Sequence, residues 1–211
     1  METTAGIPAA AFDFYARLEQ NNNRDWWLAH KESYDDDVRV PLLALLAQLE
    51  PLFGPARVFR PYRDTRFSAD KTPYKTSQGA HLSNHEGVGF YLRIGAGGLM
   101  LGGGFHSAAP AHLARYRTAV DASVSGEALA LIVETLRAAG FEPGPPELKQ
   151  VPRGFPRDHP RAVLLRCKTL SASTDLGVPD WLDTADAAHR IATELERLRP
   201  LVDWVLRYAT P

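Results

Sequence analysis

Cysteine and long apolar runs are scarce in this sequence, and each shortage excludes a class of protein. One cysteine in 211 residues, Cys167, excludes an intramolecular disulfide framework and a four-cysteine zinc site, and it predicts a buried structural thiol. The longest apolar run, residues 40–49, contains Pro41 and Gln48 and is too short to span a membrane. The first eight residues lack a basic segment followed by an apolar one, so no signal peptide is expected. We therefore expect a cytoplasmic protein with no membrane partner.

Several common catalytic and cofactor motifs are also missing. The sequence contains no Gly-Lys-Ser/Thr phosphate loop, no Gly-x-Gly-x-x-Gly dinucleotide fingerprint and no Gly-x-Ser-x-Gly nucleophile elbow. His81 and His85 are spaced like metal ligands on a helix, but Ser83, Asn84 and Gly87 favour a loop there. The sequence therefore assigns no metal ligand, and the cofactor is unknown.

Positive charge is concentrated in two short segments of a chain whose net charge is −1. The first basic segment, residues 57–75, has a net charge of +4 from two aspartates and six cations: Arg57, Arg60, Arg63, Arg66, Lys71 and Lys75. The second basic segment, residues 149–168, has a net charge of +5 from one aspartate and six cations: Lys149, Arg153, Arg157, Arg161, Arg166 and Lys168. Because the rest of the chain is acidic, this distribution favours a local anion site over a general nucleic-acid surface, which usually makes a whole domain basic.

The first basic segment is dense in hydrogen-bonding groups between residues 63 and 75. Arginine supplies planar forked donors and lysine a compact charge, and both suit a phosphate or a carboxylate. We predict that this stretch binds an anionic ligand through Arg63, Arg66, Ser68, Lys71, Tyr74 and Lys75. Asp64 is predicted to orient a guanidinium or to act catalytically by carrying a proton. The alternative is a solvated loop whose Arg–Asp pairs tie it to neighbouring helices.

The second basic segment adds a histidine that directly follows a carboxylate, Asp158. A neighbouring carboxylate can hold an imidazole in one tautomer and poise it for proton transfer. His159 is therefore the candidate general acid or base, and Lys149 and Arg153 are predicted to bind the ligand opposite the first basic segment. The alternative is a proline-rich loop in which Asp158 only caps a turn.

Hydrophobic periodicity predicts helices at both ends of the chain and strands between them. Apolar residues recur at helical spacing in the first fifty residues and again in residues 180–208. Two strand-like runs around a glycine-rich turn predict an antiparallel hairpin near residues 88–106, and residues 162–165 are predicted to form an edge strand. The sequence therefore predicts a single compact α+β domain, residues 1–211, with an antiparallel sheet flanked by N- and C-terminal helices.

Four motifs resemble one bacterial and fungal protein family over nearly the whole length of the chain. They are residues 14–27 (FYARLEQNNNRDWW), 63–75 (RDTRFSADKTPYK), 102–106 (GGGFH), and 152–160 (PRGFPRDHP) with 164–168 (LLRCK). In these motifs the chain resembles the family that is named "domain of unknown function 2461". The resemblance implies one domain, and it implies no reaction, because the family is named for the lack of an assigned function.

Three functions compete on this sequence. The first is a pocket, formed by both basic segments, for a small phosphorylated or carboxylated ligand, with phosphoryl or acyl chemistry if the protein is an enzyme. The second is a nucleic-acid-binding module, in which aromatic residues between the cations stack on bases: Phe59, Tyr62, Phe67 and Tyr74. The third is a structural or interaction protein whose Arg–Asp network is paired internally.

Overall fold

A computed structural model of the chain describes residues 6–64, 66, 69–105 and 110–210. Two residues singled out above, Ser68 and Phe67, lie outside the described residues. The C-terminal end of the predicted hairpin, residue 106, also lies outside them.

The N-terminal part is helical, as predicted. It contains α1 (Ala9–Gln20), α2 (Arg24–Ala29), α3 (Lys31–Ser33), a π-helical segment (Tyr34–Arg39) and α4 (Val40–Phe53). Asn23 caps the N-terminus of α2, because its side chain accepts a hydrogen bond from the backbone N–H of Trp26 at 3.0 Å. Gly54 ends α4 with a φ of 89°, a conformation that glycine adopts without steric cost.

One six-stranded sheet follows the N-terminal helices in sequence. Its strands are β1 (Ala56–Val58), β2 (Ser77–His85), β3 (Val88–Gly95), β4 (Gly98–Phe105), β5 (Glu142–Pro143) and β6 (Leu170–Gly177). Their spatial order is β1-β2-β3-β4-β6-β5. In β3, Phe90, Leu92 and Ile94 are buried on one face, whereas Tyr91 and Arg93 on the other face are partly exposed. The predicted hairpin is confirmed as β3, a two-residue turn and β4.

The remaining helices are α5 (Pro110–Asp121), α6 (Ser123–Ala138), α7 (Ala162–Leu165) and α8 (Ala187–Tyr208). The prediction of an edge strand at residues 162–165 is wrong, because this segment is the short helix α7. A four-residue apolar run has no readable period, and here the backbone N–H of Leu165 bonds the carbonyl of Arg161 at 3.1 Å to form a helical turn. In α8 the helix continues through Pro200.

Tertiary contacts divide the chain into two compact units. Unit 1 comprises Met1–Asn84, Tyr91–Leu101 and Asp175–Glu194, and unit 2 comprises His85–Phe90, Gly102–Thr174 and Leu195–Pro211. Five elements, β2, β3, β4, β6 and α8, have residues in both units. The α+β class with an antiparallel sheet is confirmed. The first basic segment belongs to unit 1 and the second to unit 2.

Each unit has its own apolar core. Unit 1 is filled by residues of the N-terminal helices, including Phe14, Tyr15, Trp27 and Leu45, all buried. Unit 2 is filled by residues that include Tyr116, Leu129, Phe141, Leu198 and Trp204. Among the described residues, no helix is both long enough and apolar enough to cross a membrane.

We expect the two units to unfold in one cooperative transition, because four strands and one helix continue covalently from one unit into the other. Three of the four tryptophans belong to unit 1 and Trp204 belongs to unit 2. In a Trp204→Phe variant, tryptophan fluorescence therefore reports unit 1 alone, whereas far-UV circular dichroism reports the helices of both units. The two urea midpoints should coincide, and two separate midpoints would contradict the prediction.

Candidate functional site

The first basic segment forms a loop closed at its base by backbone pairing. Tyr62 and Tyr74 form an antiparallel bridge. The N–H of Arg63 donates to the carbonyl of Pro73 at 2.9 Å, and the N–H of Lys75 donates to the carbonyl of Pro61 at 2.8 Å. These contacts form a short two-stranded ladder between residues 61–63 and 73–75.

A buried glutamine fixes the start of this segment. Gln78 in β2 is 1% exposed, and its Nε2 donates to the carbonyl of Phe59 at 2.6 Å. Its Oε1 accepts from the hydroxyl of Tyr34 at 2.7 Å. Burial raises the pKa of Tyr34 to about 12, so this hydroxyl stays a donor at neutral pH. The buried polar groups are thus satisfied, as a stable interior requires.

An asparagine of the α1–α2 turn fixes the end of the segment. The Nδ2 of Asn22 donates to the carbonyl of Tyr74 at 2.9 Å, and its Oδ1 accepts from the Tyr74 N–H at 3.1 Å. The Tyr74 ring stacks on the Trp27 ring, with centroids 4.2 Å apart and planes 9° apart. Because Tyr74 is 5% exposed, its ring belongs to the aromatic core of unit 1, and its predicted contact with a ligand stays a prediction.

The arginines of the loop are paired with its own aspartates. Arg66 forms a bidentate ion pair with Asp64, in which Nε donates to Oδ1 at 2.9 Å and Nη2 donates to Oδ2 at 2.6 Å. The hydrogen bonds from Arg66 lower the pKa of Asp64. Arg63 forms an ion pair with Asp70, whose other oxygen accepts from the Thr72 hydroxyl at 2.7 Å. Both ion pairs lie within the loop, and the roles of Arg63, Arg66 and Asp64 at a ligand stay predictions.

The lysines of the loop differ in environment. The Nζ of Lys75 lies 5.5 Å from the centroid of the Phe59 ring, a cation–π contact. Burial lowers the pKa of Lys75, and the neighbouring charge of Arg60 lowers it further. Lys71 is exposed on the loop. A binding role for either lysine stays a prediction.

We predict that Asn22→Ala destabilises the protein by about 1–3 kcal/mol, because the Tyr74 backbone loses both a donor and an acceptor next to the buried ring. The matched control is Asn21→Ala. The Asn21 side chain donates to the Arg17 carbonyl at an exposed position, and its loss should change stability by only about 0.5 kcal/mol. Urea unfolding measures both variants. Equal losses would show that Asn22 does not support the loop.

In the second basic segment, His159 fixes a loop rather than facing open solvent. The side chain of His159 is 7% exposed, and its Nε2 lies 3.2 Å from Oδ1 of Asp121. Its Nδ1 accepts from the backbone N–H of Arg161 at 3.0 Å. Because Nδ1 is an acceptor, the network assigns the ring proton to Nε2, where it bonds the carboxylate. Both ring nitrogens are engaged, so the geometry favours a positioning role, and acid–base catalysis by His159 stays a prediction.

Arg161 joins the same loop to the end of α5. Its Nε donates to the Val120 carbonyl at 2.7 Å and its Nη2 donates to the Asp121 carbonyl at 2.9 Å. A cation at a helix C-terminus satisfies free carbonyls and opposes the negative end of the helix dipole. Gly126 makes room for this arrangement, because a Cβ there would lie 2.5 Å from the Arg161 Nε.

A cavity of about 390 Å³ opens in the second basic segment, entirely within unit 2. Its lining comes from two stretches held together by the Leu148 N–H, which donates to the Arg166 carbonyl at 3.0 Å. The lining residues are Lys149, Gln150, Val151, Arg157, Ala162 and Arg166. Three of them are cations and none is a carboxylate. The Nε of Arg166 is buried and has no hydrogen-bond partner within the described part of the chain.

The structure brings together only some of the residues predicted for the second basic segment. Lys149 lines the cavity, as a ligand-binding residue should. Arg153 is exposed and does not belong to the lining, so its predicted role stays a prediction. Arg157 and Arg166 belong to the segment but were not singled out from the sequence. The position of Arg166 between the apolar Leu165 and Cys167 is the one local sign that its stem is partly buried.

Residues 10–204 match the sequence model of a family described as conserved hypothetical protein (DUF2461). The chain belongs to this family. The match confirms the resemblance, and it spans both basic segments and both units. No curated protein matches the chain. The family description assigns no activity to this DUF2461 protein.

No group of three or more histidine, cysteine, aspartate or glutamate side chains in the described ranges is arranged to hold a metal ion. The lone cysteine of this DUF2461 protein is buried, as predicted, at 4% exposure. Burial, and secondarily the charge of Glu147, raises the pKa of Cys167 to about 11. Its neighbour Tyr116 donates its hydroxyl to the Leu164 carbonyl at 2.8 Å and anchors α7 on α5.

We predict that Cys167 reacts very slowly with an aromatic disulfide reagent in the native protein at pH 8. A rise of the pKa from 9.0 to about 11 lowers the thiolate population about a hundredfold, and burial lowers access further. The measurement is the rate of thiol titration with and without 6 M guanidinium chloride. Equal rates in the two conditions would contradict a buried thiol.

Proposed function

We propose that this DUF2461 protein binds a small anionic molecule in the cavity of the second basic segment. The observation that carries the proposal is that Lys149, Arg157 and Arg166 line one cavity whose lining contains no carboxylate. A volume of about 390 Å³ lies in the range of small-molecule pockets, roughly 300–1,000 Å³.

Charge supports an anion as the occupant of the cavity. Three like charges around one cavity repel one another, and water screens part of this repulsion because Lys149 and Arg157 are exposed. An anion in the cavity replaces this repulsion with attraction. The lining also includes the amide of Gln150, a neutral group that can donate to an oxygen, and the apolar side chains of Val151 and Ala162.

The first basic segment gives less support to an anion site of its own. Arg63 and Arg66 are each matched by an aspartate of the same loop, so their charge is already compensated. The same pairing leaves Asp64 engaged with Arg66, and no proton-transfer step is proposed for it. We therefore propose binding, and no reaction, as the function best supported.

The nucleic-acid alternative also has less support, because two of its three described aromatic rings stack on other rings of the protein. Phe59 stacks with Tyr91, with ring centroids 6.0 Å apart. Tyr74 stacks with Trp27 in the core, which leaves Tyr62, at 49% exposure, as the accessible ring of those described. A strand of bases needs several free rings in succession.

Isothermal titration calorimetry at low salt tests the proposal with phosphate, sulfate and succinate as probes. We expect at least one anion to bind, and the Lys149→Ala/Arg157→Ala double variant to weaken it at least tenfold, because two of three cations are lost. The control is Arg137→Ala, which removes an exposed cation at the end of α6, outside the lining.

Two results would overturn the proposal. The first is an absence of heat with all three anions while the protein is folded by circular dichroism. The second is an equal loss of affinity in Arg137→Ala and in the double variant, because non-specific attraction to net charge would then explain the binding.

A further inference from the structure

Arg166 differs from the other two cations of the cavity in having a buried N–H that lacks an acceptor. Its Nε has no hydrogen-bond partner in the described part of the chain. A buried donor without an acceptor costs free energy, and for a charged group the cost is larger than for a neutral one. Because Arg166 also lines the cavity, a ligand bound there could supply the missing acceptor.

The stem of Arg166 is held in place by the fold. Its carbonyl accepts from the Leu148 N–H at 3.0 Å, and both neighbours in sequence, Leu165 and Cys167, are buried. The guanidinium therefore extends from an anchored backbone, and less side-chain entropy is lost when it meets a ligand.

The edge of a guanidinium that carries Nε–H presents two parallel donors, Nε–H and one Nη–H. This edge matches two oxygens of one phosphate or carboxylate group. The two classes differ in charge, because a carboxylate brings one negative charge, whereas a phosphate monoester brings about −1.5 to −2 at pH 7. A cavity with three cations and no carboxylate is better compensated by the more highly charged group.

Resting on the proposed function, we propose that the ligand of this cavity is a phosphate monoester whose phosphoryl group is bound side-on by Arg166. Nε–H and one Nη–H of Arg166 donate to two phosphoryl oxygens. Lys149 and Arg157 compensate the remaining negative charge, and Val151 and Ala162 provide apolar lining for the carbon skeleton. Arg166 is thus the residue that determines the preference for a phosphoryl group.

The test compares methyl phosphate, sulfate and succinate as calorimetric probes of the wild-type protein and of Arg166→Lys. Lysine keeps the positive charge but lacks the forked edge. We expect methyl phosphate to bind at least tenfold more tightly than succinate, and Arg166→Lys to weaken methyl phosphate at least tenfold. Thermal unfolding of Arg166→Lys establishes that the variant is folded.

Arg117 provides a matched control within unit 2. Its Nε is also buried without a partner among the described residues, but Arg117 does not belong to the cavity lining. Arg117→Lys removes the same kind of N–H and should bind methyl phosphate as the wild type does. An equal loss in Arg117→Lys and Arg166→Lys would overturn the assignment of Arg166.

The pH dependence of wild-type binding supplies a readout that needs no variant. The second ionisation of a phosphate monoester has a pKa of about 6, so methyl phosphate should bind more tightly at pH 7 than at pH 5. Sulfate does not titrate between pH 5 and pH 7, and its affinity should not rise as the pH rises. A rise for sulfate equal to that for methyl phosphate would overturn the phosphoryl assignment.

The outcomes separate the two proposals. If succinate binds at the cavity cations and methyl phosphate does not, the phosphate assignment fails while the anion site stands. If none of the anions binds to the folded protein, both proposals fail together.

Discussion

The second basic segment depends on the contact of one guanidinium with the end of one helix. Arg161 donates to the carbonyls of Val120 and Asp121, the last residues of α5. The contact needs a glycine at position 126, because a Cβ there would also lie 2.1 Å from the Val120 carbonyl oxygen. With His159 on Asp121 as a second anchor, a loop rich in proline and arginine acquires a fixed course. That course places Arg157 and Ala162 in the wall of the cavity.

The two basic segments have similar composition, but they differ in how their positive charges are paired. In the first, two of the six cations, Arg63 and Arg66, each pair with an aspartate of the same loop. In the second, the one aspartate of the segment does not line the cavity, and three cations share a wall without a carboxylate. A loop whose arginines pair with its own aspartates is suited to holding its own shape, whereas a cavity wall with three cations and no carboxylate is suited to an anionic ligand.

Some elements of the fold could be predicted from the sequence, because their hydrophobic patterns were long or were bounded by turn-forming residues. The hairpin of β3 and β4 was predicted from two strand-like runs around glycines, and α1 from its helical period. The four residues of α7 were assigned wrongly, because so short an apolar run fits a strand and a helix equally well. Its helical form follows from its contacts, including the Tyr116 hydroxyl on the Leu164 carbonyl.

The sequence by itself determined the class of the fold, the family, and the two stretches in which positive charge accumulates. These properties follow from periodicity, composition and motif length, which are local. Only the tertiary structure decided which cations are compensated and which line a cavity, because ion pairing and burial depend on how close side chains come in space, and residue order alone does not give those distances. It paired Arg66 with Asp64. It left the Nε of Arg166 buried without a partner among the described residues.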